Sequence, residues 1–103
     1  MDWIEIIHLR AYSPRDCAAA IAAFHELTVP DRESGLKEVI LLRNNFLDTD
    51  TGIFIRWRGE GPLNGKSRLG LQLSAAFSEY GHINHSVWKY ETRLPIKQRT
   101  KPN

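Results

Sequence analysis

Two segments whose apolar residues recur at helical spacing are interleaved with four runs of strand-forming residues. This alternation limits the possible folds more than any other feature of the chain. The first run, Trp3 to Ala11, is rich in β-branched and aromatic residues and reads as a strand buried on at least one face. Ser13-Pro14 then starts a helix, with Ser13 as N-cap, Pro14 at the first helical position and Asp16 placed like the acid of a capping box. Cys17, Ala20, Ile21, Phe24 and Leu27 form an apolar stripe that needs a sheet to cover it, and Pro30 ends the helix. Residues 28–36 are a polar connection. A compact run, Val39-Ile40-Leu41-Leu42 within Lys37 to Asn44, is the second strand.

Asn45 to Gly52 holds the turn formers Asp48, Asp50 and Gly52, and Ile53 to Arg58 has strong strand propensity, so strands two and three form a hairpin. Gly59 to Lys66 is a loop. Ser67 caps a second helix carrying Leu69, Leu73, Ala76, Phe77 and Tyr80 on one side, which Gly81 is placed to end. His85 to Leu94 is the last strand, and Pro95 opens a polar tail. The order is βαββαβ. Short connections and right-handed crossovers make this an α+β, ferredoxin-like fold with a four-stranded antiparallel sheet in the order 4-1-3-2. With 103 residues there is room for one domain, residues 1–94, followed by a basic tail, residues 95–103.

Both helices then cover one sheet face and leave the other open. A centred register of the first and last strands sets Ile6 near Tyr90, His8 near Trp88 and Arg10 near Ser86. Ile7, Leu9, Val87, Ile53, Ile55 and Trp57 then face the helices, and Ile4, Ile6, His8, Phe54, Arg56, Trp88 and Tyr90 lie on the open face. That mixture is too apolar for water, and a two-fold homodimer packed face to face is the simplest way to bury it.

The element order, the helix placement and the aromatic final run Ser86-Val87-Trp88-Lys89-Tyr90-Glu91 resemble the dimeric α/β-barrel superfamily, in particular the antibiotic biosynthesis monooxygenase-like proteins, over residues 3–94. The resemblance implies a homodimeric barrel with a pocket. It also implies either a cofactor-independent monooxygenase or related enzyme acting on an aromatic substrate, or a non-catalytic ligand-binding or assembly module of the same fold. The candidates are His8 and Arg56 as catalytic residues, with Phe54, Trp88 and Tyr90 as substrate-binding residues. Arginine suits an anionic or phenolate oxygen, aromatic rings stack a flat ligand, and histidine moves a proton. In the competing structural reading the aromatics pack the dimer interface and Arg56 pairs with Glu91 or Glu5.

Other classes fare worse. Lys97, Arg99 and Lys101 lie in the tail, leaving 11 basic and 12 acidic groups in residues 1–94, so no basic stripe for nucleic acid is expected on the folded face. No apolar stretch reaches a membrane span, and Cys17 is the only cysteine, so a membrane partner is not expected and the cytoplasm is the default. Cys17 lies on the helix stripe and reads as a buried small hydrophobe. His82 and His85 would form a metal site only if His8 joined them, so no metal or cofactor is expected. Gly61 to Ser67 has the wrong spacing for a phosphate loop because Glu60 stands where its first glycine should be. Ser67 and nearby N–H groups at the helix start remain able to hold an anion.

Overall fold

The computed structural model describes residues 2–29, 35–59, 61 and 65–97. Its elements run β1 (Asp2–Ala11), α1 (Pro14–His25), β2 (Leu36–Arg43), β3 (Asp50–Arg58), α2 (Arg68–Phe77), a short 3₁₀ turn (Ser78–Tyr80) and β4 (Gly81–Lys89). The four strands form one antiparallel sheet in the order β2-β3-β1-β4, the ferredoxin-like arrangement. No helix among the described residues is long and apolar enough to cross a membrane.

Both helix starts form as their local sequence dictates. Ser13 Oγ accepts the Asp16 N–H at 3.0 Å and donates to the Asp16 carboxylate, and Pro14 opens the helix. Ser67 Oγ accepts the Gly70 N–H at 2.9 Å. Helix α1 stops earlier than its stripe suggests. Glu26 caps it, and Leu27 lies outside it and exposed, because the last turn closes through Glu26 and Leu27 N–H bonds to Ala23 and Phe24. Cys17 is buried as expected, and burial pushes its thiol pKa up. The connection residues 30–34, including Pro30, and the loop residues 60 and 62–64 lie outside the described residues.

The core sits between sheet and helices. Trp3, Ile7 and Leu9 from β1, Ile53, Ile55 and Trp57 from β3, and Leu69, Leu73 and Phe77 from α2 are buried together with Ala20 of α1. Trp3 and Trp57, cross-strand partners, stack with ring centroids 5.3 Å apart and planes 10° apart. Offset aromatic stacking of this kind adds roughly 0.5–1.5 kcal/mol to what burial alone contributes.

The last strand is where expectation and structure part. It occupies Gly81–Lys89 rather than His85–Leu94, and it pairs Ile4 with Trp88, Ile6 with Ser86, His8 with Asn84 and Arg10 with His82. The 3₁₀ turn closes the helix at Tyr80, and Gly81 lies directly beside β1, opposite Ala11, so the chain enters the sheet with no intervening loop. At its other end β4 stops where β1 does, with Lys89 opposite Trp3. The displacement is four residues, an even number, so every side chain keeps its expected face. Strand β3 likewise starts at Asp50, so Asp50 and Gly52 belong to the sheet and the turn lies before them.

Gly81 permits the tight entry. A Cβ there would collide with the Arg10 carbonyl oxygen and lie 2.6 Å from Ala11 Cα, backbone atoms that cannot step aside. Gly81→Ala is expected to lose about 3 kcal/mol, the upper end of overpacking costs, measured as a shift in urea midpoint at unchanged slope. Gly52→Ala is the contrasting case. Its Cβ would meet nothing nearer than the Ile7 carbonyl oxygen at 4.0 Å, and stability should stay within about 0.5 kcal/mol of the original.

Candidate functional site

The open face is a grid of cross-strand rows. Counted from β2 to β4, the rows are Glu38-Arg56-Ile4-Trp88, Ile40-Phe54-Ile6-Ser86 and Leu42-Gly52-His8-Asn84, and past the end of β2, Asp50-Arg10-His82. The middle of the face is aliphatic and aromatic. One end carries the histidines and Arg10, and the other carries Arg56.

At the histidine end, His8 Nε2 lies 2.8 Å from Asp50 Oδ2. The same oxygen receives Arg10 Nε at 3.4 Å and Nη2 at 3.3 Å, while Thr49 Oγ1 donates to Oδ1 at 2.8 Å. Asp50 is 3% exposed and His8 side chain 47% exposed, so the carboxylate is a buried anchor and the imidazole reaches the surface. Burial pushes the Asp50 carboxyl pKa up, but hydrogen bonds from Thr49, His8 and Arg10 and the Arg10 charge outweigh it and hold the group below its ordinary value. An ionised carboxylate only accepts, so the proton shared with Asp50 is on His8 Nε2. In the neutral imidazole the free lone pair is then on Nδ1.

Gly52 makes room beside this pair. Its backbone is not in the left-handed region and a Cβ would fit, so no local constraint requires glycine. What the missing side chain does is leave a gap in the row between Leu42 and His8. A hollow of about 250 Å³ opens there, lined by Ile6, His8, Leu42, Arg43, Asn44, Asp50, Thr51 and Gly52. On the other side of His8, a second hollow of about 280 Å³ is bordered by His8, Arg10, His82, Ile83 and Asn84.

The expected site residues divide between the two ends. Phe54, Arg56 and Trp88 share the open face with His8, but Arg56 is four residues along the strands from the His8 row, roughly 13 Å at about 3.3 Å per residue. Arg56 pairs with neither Glu91 nor Glu5. Its Nη1 lies 3.9 Å from Asp2, and its Nε lies 2.9 Å from Glu38 but off the hydrogen-bond direction, so that buried N–H finds no aligned acceptor. The Trp88 indole donates to Ser86 Oγ at 2.8 Å, and its side chain stays largely exposed. Tyr90 lies just past β4 and has no partner in the sheet. Sequence reasoning did not single out Asp50, Arg10 or Gly52. Asp50 and Gly52 read as turn formers, and only the antiparallel pairing of β1 with β3 brings Asp50 to Arg10 and Gly52 to His8.

The other face carries a separate polar cluster. Glu5 is fully buried and accepts from four donors: Trp57 Nε1 at 2.8 Å, the Ser67 N–H at 2.8 Å, the Ser67 hydroxyl, and His85 Nε2 at 3.0 Å. Ser74 Oγ lies 3.0 Å from His85 Nδ1. The anion at the start of α2 is therefore the protein's own carboxylate, seated where the helix dipole favours it. Gly70 makes the seat possible, since a Cβ there would collide with the Glu5 carboxylate and lie 2.8 Å from His85 Cε1. His85 and His82, three apart on a strand, point to opposite faces. His8 and His85 therefore cannot meet, and among the described residues no three metal-binding side chains converge.

No protein-family model matches the chain, and no curated protein matches it in sequence. Its fold is shared with several solved structures. A variant of SnoaB, a cofactor-independent oxygenase from Streptomyces nogalater, superposes with a TM-score of 0.59 at 16% identity, covering 92% of this chain and 98% of that one. Rv0793 from Mycobacterium tuberculosis gives 0.55 at 15%, covering 92% and 100%. A Bacillus cereus protein provisionally named an antibiotic biosynthesis monooxygenase gives 0.56 at 13%, covering 96% and 100%. The chain thus shares its fold with these structures over nearly its whole length.

Proposed function

We propose that this protein is a cofactor-independent oxygenase of an electron-rich aromatic substrate, working as a homodimer in which two open sheet faces enclose the hollows beside His8. The observation that carries the chemistry is the His8–Asp50 pair: a surface imidazole whose Nε2 is held by a buried carboxylate and whose Nδ1 is left to take a proton. His8 removes the proton of a phenol or quinol bound against it, and Asp50 stabilises the imidazolium that forms. The resulting anion is electron-rich enough to react with dioxygen without help from a cofactor. When a ring CH₂ becomes a carbonyl, one oxygen atom enters the product and the other leaves as water, the substrate supplying all four electrons.

The same face supports the dimer. Half-buried Ile4, Ile6, Ile40 and Phe54 adjoin exposed Leu42 and Trp88 in one apolar band, the kind of surface that marks an interface. A second copy is a self-complementary cover for it. A substrate of several fused rings lying along β1 over Ile6 would reach from His8 to Phe54 and Trp88, with Arg56 and Tyr90 beyond.

Two measurements test this reading. Light scattering behind a sizing column should give about twice the 11.8 kDa chain mass at micromolar concentration. Oxygen uptake should be observed with members of a panel of hydroquinones, naphthols and anthrones. A stable monomer would remove the enclosed site. A dimer that binds these compounds and consumes no oxygen would be a ligand-binding module instead.

A further inference from the structure

The two ends of the open face differ in what their cations are doing. Arg56 is flanked by Glu38 and Asp2, so its charge is met within the chain. Arg10 shares a single carboxylate oxygen with His8, at 3.3–3.4 Å against 2.8 Å for the histidine, and its side chain is 62% exposed. Asp50 lies closer to His8 than to Arg10, and its two bonds from Arg10 occupy two of the five guanidinium N–H groups. Among the described residues, the hollow that Arg10 borders is lined besides by His8, His82, Ile83 and Asn84, none of them acidic. An asparagine amide, two imidazoles and a guanidinium converge on one small concavity. The Tyr12 and His82 rings meet in a T-shaped arrangement, with centroids 5.3 Å apart.

Such a set of donors fits a planar anion. A guanidinium offers paired N–H groups to a carboxylate, and an amide N–H and an imidazole N–H can complete its shell. The adjacent hollow over Gly52 is different in character, with Ile6 and Leu42 on its walls and His8 at the boundary between the two. We infer that the ligand of this face is an aromatic acid, its carboxylate held by Arg10, His82 and Asn84 and its ring lying past His8 over Gly52 against Ile6 and Leu42. The inference rests on the reading of this face as a substrate site, and it names the substrate class and the residues that select it. A ring in that place carries its ring hydroxyl or acidic C–H beside His8 while the carboxylate fixes which way round the molecule enters.

Calorimetric titration of the full chain with 2-naphthoate and with 2-naphthamide, isosteres that differ in charge, tests the assignment. Naphthoate should bind at least about tenfold more tightly, the scale of a charge-assisted hydrogen bond. Arg10→Ala should abolish the preference and His82→Gln should reduce it. Arg15→Ala, the same loss of charge on the helix side of the sheet, should leave it unchanged. Thermal melts confirm that the variants are folded, and His82, exposed on an edge strand, gives a second reading if Arg10→Ala is unstable. Equal affinity for the two ligands, no binding of either at millimolar concentration, or a preference that survives both substitutions would overturn the inference. The oxygenase reading fails separately. A chain that prefers naphthoate through Arg10 yet consumes no oxygen with any quinol keeps the anion site and loses the oxygenase, and uptake with neutral quinols unaffected by Arg10→Ala does the reverse.

Discussion

Glu5→Ala is expected to destabilise the protein by about 3–5 kcal/mol, the cost of removing one member of a fully buried polar network and leaving its partners unsatisfied. Four donors converge on this carboxylate, and all of them are held in place by other structure. Trp57 is packed against Trp3, Ser67 is the α2 N-cap, and His85 is a β4 side chain only 3% exposed. None of them can turn to water when the acceptor is lost, so each donor keeps its desolvation penalty without its bond. The cavity left behind adds to the cost. For a domain of this size the loss corresponds to a fall in Tm on the order of 20 °C. Urea unfolding followed by tryptophan fluorescence is the measurement, since Trp3 and Trp57 both lie in the affected core. A change below about 1 kcal/mol would mean that the cluster is hydrated and that α2 is held to the sheet by its apolar face alone.

His8→Ala is expected to lower kcat for oxygen uptake by roughly 10²–10⁴-fold, the usual contribution of a positioned general base. Stability should change little, because the imidazole is half exposed and Asp50 keeps its Thr49 and Arg10 bonds. Asp50→Asn asks the finer question. The amide can still meet Nε2, but it neither fixes the tautomer nor stabilises an imidazolium, so kcat should fall while substrate affinity is largely kept. Full turnover by folded His8→Ala dimers would remove the base from the proposal and shift attention to the Arg56 end of the face.

The helix starts were legible because they are local. A serine before Pro14, and a serine before Arg68, satisfies free N–H groups within its own first turn whatever the rest of the chain does. The sorting of strand residues between faces was legible for a related reason: with a period of two, any even displacement leaves it intact. The four-residue shift of β4 therefore moved every cross-strand partner and no residue's face. Glu5 carried a signal of the same kind. Alternation places it with Trp3, Ile7 and Leu9 on the covered face, where a carboxylate must find donors, but nothing local indicates that they come from β3, α2 and β4. His8 was recognisable as a residue of the open face. Its partner was not, because the run from Asp48 to Gly52 has the composition of a turn and acquires its meaning only opposite β1.

The sequence by itself determined the element order, the sheet order and which side chains face the helices, since these follow from period, caps and the handedness of crossovers. Only the tertiary structure decided that Asp50 anchors His8 and Arg10, that Arg56 lies between Glu38 and Asp2, that Arg10 borders a hollow, and that Glu5 occupies the start of α2. Those hydrogen bonds join residues up to 62 positions apart. They depend on strand register and on where a backbone can pass, as it does at Gly81, and these are set by packing across the whole sheet rather than by any neighbour in the chain.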